Sequence, residues 1–299
     1  METTGGSMRI ADHLDAVETA GSALAEAAAA AGPDAEVPTC PGWRVRDLLR
    51  HTSMVHRWAT ETVVRPRTSY EPGAAETELD GEELLAYYRE GHAGLVAALR
   101  AAPEDLVCWT FLPAPSSLAF WARRQAHETT VHRADAESAL PGGPGRVDPA
   151  LAADGIDELL RLLHGRDSSR VRTAGPRILR VRATDTGDDW VVRLSATEPP
   201  RAERVDHPAA APDADTELSG PADLLYLTLW NRLPAGPLAP TGPVTPTGSV
   251  APAGSTRPAG STRPAGSTRP AGSARPVGSV TLTGDTEVAR LWHETSGIG

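Results

Sequence analysis

The sequence predicts an α+β two-domain chain: a four-helix bundle over residues 1–140, a linker and connecting helix over 141–165, and a small α+β domain over 166–299. Three observations carry this. Apolar residues recur at helical spacing four times before residue 140. Pro141-Gly142-Gly143-Pro144-Gly145 then interrupts any regular element, and strand-like alternation follows it. A length of 299 residues with 40% hydrophobic content exceeds one ordinary domain and suffices for a real core.

In the first helix Ile10, Leu14, Val17, Gly21, Leu24 and Ala28 share a face, and Gly32-Pro33 ends it. A second begins after Pro41-Gly42 with Val45, Leu48, Thr52, Val55 and Ala59 inward and runs to about Val63. The third spans roughly Gly81 to Ala101, with Leu84, Tyr88, Leu95 and Leu99 inward. Ser116 or Ser117 can cap a fourth from Leu118 to about Ala139, because a serine hydroxyl satisfies free amides at a helix start. After the boundary, Pro149 to Leu163 reads as a connecting helix. Ile178–Thr184 and Trp190–Leu194, joined by Asp185-Thr186-Gly187-Asp188, read as a hairpin. Gly220-Pro221 opens a helix through Leu233, Val280–Leu282 is strand-like, and a last helix runs from Asp285 to about Glu294. Between these last elements Pro252-Ala253-Gly254-Ser255-Thr256-Arg257 is repeated from Pro258, from Pro264 and, with Ala274 in place of threonine, from Pro270. A mobile loop at about 235–279 is expected, since proline and glycine at this density sustain neither helix nor ladder.

A net charge of −10 argues against a nucleic-acid partner held by phosphate neutralisation. No apolar run reaches a membrane span and no secretory leader is evident, so no membrane partner and a cytoplasmic location are expected. Cys40 and Cys108 are the only cysteines, which fits a reducing compartment. Every basic side chain besides histidine is arginine, a bias that suits a GC-rich genome. A monomer is expected.

Chemistry concentrates on the second and fourth helices. His51 lies three residues after Leu48 and four before Val55, on their face, whereas His56 is expected to point well away from it. Alone, His51 reads more readily as a core histidine satisfied by its neighbours than as a ligand. On the fourth helix Trp121, Arg124, Glu128, Val131, His132 and Asp135 recur in steps of three and four, bringing a carboxylate and an imidazole one turn apart. Two readings stay open: an Arg124–Glu128 ion pair with His132 as spectator, or a metal site completed by His51. Two imidazoles and a carboxylate from facing helices leave a fourth position free, as catalytic zinc sites do. His127 and His132 are five apart, so His127-Glu128-Thr129-Thr130-Val131-His132 is not the metalloprotease motif. Asp135 could orient His132 or be an ordinary solvated carboxylate. His92 is expected in the core, and Cys40 in a tight Cys-Pro-Gly-Trp turn as packing more than as nucleophile. Neither a phosphate-binding glycine loop nor a Gly-x-Ser-x-Gly elbow is present.

The stretch from Val37 to His51, with Val55-His56-Arg57-Trp58 after it, resembles the N-terminal domain of the mycothiol-dependent maleylpyruvate isomerase family, a branch of the DinB-like bundles. Phe120 to Glu137 resembles the second signature of that family. Asp154–Leu159 and Leu229–Pro234 look like its C-terminal domain, which is related to the sterol carrier protein type 2 fold. The repeat insertion and Asn231 before Arg232, where the family often has glycine, depart from the pattern. The resemblance implies a divalent metal, zinc by preference, on His51, Glu128 and His132. It also implies mycothiol, the actinobacterial thiol, as cofactor. The metal-stabilised thiolate would meet a small, maleylpyruvate-like electrophile, in cis–trans isomerisation or in S-transfer. Arg232, with Asp135, is a catalytic candidate: its guanidinium could clamp a substrate carboxylate, or it could be a helix-end surface arginine. The competing function is a non-catalytic metal-binding module, a regulator or ligand sensor.

Overall fold

A computed structural model describes residues 8–206, 211–233 and 278–297. The Pro252–Arg275 repeat lies outside the described residues. Helices α1 (Ile10–Ala31), α2 (Val45–Val64), α3 (Gly81–Ala101) and α4 (Ser117–Ser138) form the bundle, α1 and α2 each packing on both α3 and α4. Ser116 is the cap of α4, its Oγ accepting from the Ala119 amide at 3.1 Å. Leu24, Leu48, Leu84 and Tyr88 fill one end of the bundle. A second apolar cluster begins at Val17, Leu95 and Trp121 and continues without a break into the second half of the chain.

The buried residues of α2 are Val45, Leu48, Leu49, Thr52, Ser53, His56, Ala59 and Val63, which corrects the expectation for His56 and leaves Val55, expected inward, only half-buried. Because α2 is wedged between α3 and α4, its buried face is wider than one stripe. His56 is fully enclosed, with Nε2 3.0 Å from Thr129 Oγ1, while His51 sits at the margin facing α4. His92 is a core residue as expected, its Nε2 3.0 Å from the Val17 carbonyl. Helix α4 is not amphipathic. From Trp121 to Glu137 only Arg123 and Glu128 escape full burial, since α1 and α2 cover one side and later elements the other.

Helix α5 (Pro149–Asp157) passes into a π-helical segment, Glu158–Leu163, closed by the His164 amide on the Leu159 carbonyl at 3.0 Å. A Cβ on Gly155 would lie 2.3 Å from the Tyr226 ring and 2.7 Å from His127 Nδ1, so only glycine permits this approach of α5 to α4. Strands β1 (Arg177–Ala183) and β2 (Asp189–Leu194) form the predicted hairpin. The five-stranded sheet adds β3 (Arg201–Arg204), β4 (Thr216–Gly220) and β5 (Thr281–Gly284) in the order β3-β2-β1-β4-β5, with β1 and β4 parallel. The polar edge strand β3 and the short β4 carry no alternation long enough to have been read from sequence. Helix α6 (Ala222–Leu229) stops four residues before the expected Leu233, because Asn231 adopts a left-handed φ of 59° that no helix continues through. Helix α7 (Thr286–Thr295) ends the described chain. No helix among the described residues is long and apolar enough to cross a membrane.

His164 joins the end of the π-helical segment to α7, its ring centroid 4.7 Å from that of Trp292 and Nδ1 3.0 Å from Ser169 Oγ. Burial pushes its pKa down to about 4. An unfolded histidine titrates near 6.5, so between about pH 6.5 and 4 the unfolded chain binds a proton that the folded chain refuses, and stability falls with falling pH. The contribution lost over that window is on the order of 3 kcal/mol. In His164→Gln the decline of melting temperature between pH 7 and 4 is expected to be shallower than in the unchanged protein; equal slopes would assign the acid sensitivity elsewhere.

Candidate metal centre

The sequence-predicted trio comes together. Glu128 Oε1 lies 3.1 Å from His132 Nε2 and 3.7 Å from His51 Nε2. One ligand atom from each of the three residues falls within 4.8 Å of the others. The i,i+4 spacing on α4 stacks Glu128 beside His132, and α2 supplies His51 across the groove. Trp43, in the turn before α2, covers the imidazoles: its ring lies nearly parallel to His132, at 16° and 6.5 Å, and 5.2 Å from His51. Glu128 remains about a quarter exposed, so the trio opens to solvent on one side.

The His132 ring is oriented by Asp135, whose Oδ2 accepts from Nδ1 at 2.8 Å and so leaves Nε2 facing Glu128 and His51. Asp135 is itself fully enclosed and its oxygens are saturated. Oδ1 accepts from Thr39 Oγ1 at 2.6 Å and from Arg232 Nε at 2.9 Å, and Oδ2 also accepts from Arg232 Nη2 at 3.1 Å. Arg232 thus reaches from the end of α6 into the bundle, with a further bond to the Trp230 carbonyl at 2.7 Å. In this structure its guanidinium is occupied by Asp135.

The expected Arg124–Glu128 pair is also present, Nη2 to Oε2 at 3.3 Å, and coexists with the trio because it uses the other carboxylate oxygen. Arg124 is anchored from behind by Glu158 of the π-helical segment and lies 5.4 Å over the Trp230 ring. Sequence reasoning missed Glu158, Thr39 and Trp43. The last two sit in the motif around Cys40, but nothing in their spacing reveals a reach of ninety-six residues from Thr39 to Asp135.

The electrostatics follow from these contacts. Burial works against the charged forms, yet the hydrogen bonds that His132 donates to Asp135 and Glu128 hold it up to about 9. Burial would raise Glu128, but His132, His51 and Arg124 together hold it well below the carboxylate range. The site is therefore an ionised carboxylate beside a cationic imidazole at neutral pH. Once a divalent cation displaced the proton from His132 Nε2, the centre would present one negative charge and two imidazole nitrogens, a donor set that zinc accepts. The Cys40 thiol is pushed up to about 12, first by burial and then by the neighbouring Asp135 charge, so it is a packed thiol and not a nucleophile.

The family model for the mycothiol maleylpyruvate isomerase N-terminal domain matches residues 14–137, a span that includes all three members of the trio. Two crystal structures of the mycothiol-dependent maleylpyruvate isomerase share the fold. A histidine-to-alanine mutant gives a TM-score of 0.52 at 12% identity, covering 77% of this chain and 92% of that one. The other structure gives 0.50 at 13% identity with the same coverage. At such identity the likeness is one of fold. No curated protein matches the chain. Residues 14–137 thus match the mycothiol maleylpyruvate isomerase N-terminal domain family, and the chain as a whole shares its two-part fold with the two isomerase structures.

Proposed function

We propose that this protein is a zinc- and mycothiol-using isomerase or S-transferase of a small, maleylpyruvate-like electrophile, acting in the cytoplasm as a monomer, with the metal on His51, Glu128 and His132. The observation that supports this reading best is the convergence of two imidazole Nε2 atoms on one oxygen of Glu128, at 3.1 and 3.7 Å, at a margin open to solvent. A zinc ion held there would lower the pKa of a bound thiol, so that mycothiol would be available as thiolate at neutral pH.

The remaining roles belong to the chain itself. Asp135 keeps a proton on His132 Nδ1, which directs Nε2 toward the ligand position. Arg124, backed by Glu158, holds Glu128 Oε2 and so leaves Oε1 for the metal. Trp43 shields one face of both imidazoles from water. The Cys40 thiol stays protonated and does not compete with an incoming thiol. Arg232 acts through Asp135 as a positioning residue, and a substrate carboxylate reaching its guanidinium would share it with Asp135.

Metal analysis of dialysed protein is expected to show that His51→Ala and His132→Ala each lose about one zinc per chain; unchanged zinc in both variants rejects the ligand assignment. Asp135→Asn keeps the side-chain volume but weakens the orientation of His132, and is expected to reduce zinc affinity at this centre by about 10–100-fold with the fold intact. In cobalt-substituted protein, mycothiol is expected to produce a thiolate-to-metal charge-transfer band at neutral pH, weakened or abolished in Glu128→Gln. Glutathione is expected to produce it poorly. If the metal stays bound and no thiol alters the cobalt spectrum, the thiol chemistry is wrong and the non-catalytic metal module takes its place.

A further inference from the structure

On the side of α4 away from the trio, three residues from three helices converge. His13 of α1 directs Nε2 at Asp154 Oδ2 of α5 from 3.0 Å, and His127 of α4 directs Nε2 at the same oxygen from 2.8 Å. All three ligand atoms lie within 4.8 Å of one another. Arg123 Nε adds a third nitrogen at 2.8 Å. A carboxylate oxygen offers about two lone-pair sites, so three N–H donors on Oδ2 crowd it. A neutral imidazole turned to its other tautomer would set a nitrogen lone pair against an oxygen lone pair. One cation shared by the two Nε2 atoms and Oδ2 removes both conflicts, and Arg123 keeps its bonds to the Asp154 carbonyl at 2.7 Å and to Asp157.

The rings are also held in place. His13 and His127 are buried, and His127 is confined by Gly155 and Tyr226. The cluster borders a cavity of about 640 Å³ whose walls include His13, Arg123, Asp154, Asp157, Leu112 and Phe120.

We propose that His13, His127 and Asp154 form a second divalent-cation site, suited to zinc or cobalt(II) by its two nitrogens and one oxygen, with its open coordination position toward this cavity. A small oxygen- or nitrogen-donor ligand would enter there.

Equilibrium dialysis of the full chain against zinc, followed by metal analysis, is expected to give about two equivalents, and the His51→Ala/His132→Ala double variant about one. Adding His13→Ala to that background is expected to remove the remaining equivalent, together with the cobalt(II) visible absorption. Asp154→Asn, which keeps an oxygen for Arg123 and the imidazoles, serves as the second variant if His13→Ala does not fold, and is expected to take the unchanged chain from about two equivalents to one. The proposal is overturned if the double variant, folded by circular dichroism, binds no zinc, or if the His13 and Asp154 variants retain the second equivalent. Loss of zinc at the first centre alone leaves it standing, because the two ligand sets share no residue.

Discussion

Helix α4 carries Arg124, His127, Glu128, His132, Arg133, Asp135 and Glu137 within a stretch that is buried at nearly every position, and the desolvation of these groups constrains everything packed around them. A charge withdrawn from water costs several kcal/mol unless it is paired and hydrogen-bonded. The partners come from almost every other part of the chain: Glu158 for Arg124, Asp154 for His127, Thr39 and Arg232 for Asp135, and the Gly145 amide at 2.7 Å for Glu137. Such pairs contribute little net stability, since Coulomb attraction mainly offsets desolvation, but each is costly to break and therefore fixes position.

This constraint explains how polar chemistry is held with little freedom. Around Glu128 the oxygens are divided, Oε2 to Arg124 and Oε1 to the imidazoles. Around Asp135 four donors saturate two oxygens, and the His132 ring inherits its orientation from them. The π-helical segment belongs to the same logic. Its altered pitch places Glu158 behind Arg124, while Leu159, Leu160 and Leu163 on the same turns remain in the core.

The second half of the chain acts on the bundle through Arg232. Asn231 turns the backbone left-handed after α6, and its side-chain amide donates to the His293 carbonyl at 3.1 Å and to Ser296 at 3.2 Å. Asparagine tolerates this conformation better than most residues, so the departure from glycine at this position is compatible with the turn and adds an anchor to the end of α7. The outcome is that a residue of the sheet-bearing half settles the orientation of an imidazole in the helical half.

The bundle helices, the hairpin and the residue types at the candidate centre were legible in the sequence, because apolar periodicity and i,i+4 spacing are local properties. His51, Glu128 and His132 were named from helical faces together with two long motifs. Strands β3 and β4 were not legible, since a polar edge and a short parallel strand owe their existence to β2 and β1 beside them. The burial of His56 was misread because α2 is covered on two sides, and a single-stripe argument assumes one. His13 gave no signal at all: 141 residues separate it from Asp154, and only the packing of α1 and α5 against α4 joins them. The sequence by itself determined which side chains share a helix face, because that follows from 3.6 residues per turn. Tertiary structure alone decided which buried charge met which partner, because the cost of desolvation is set by whatever closes over the group.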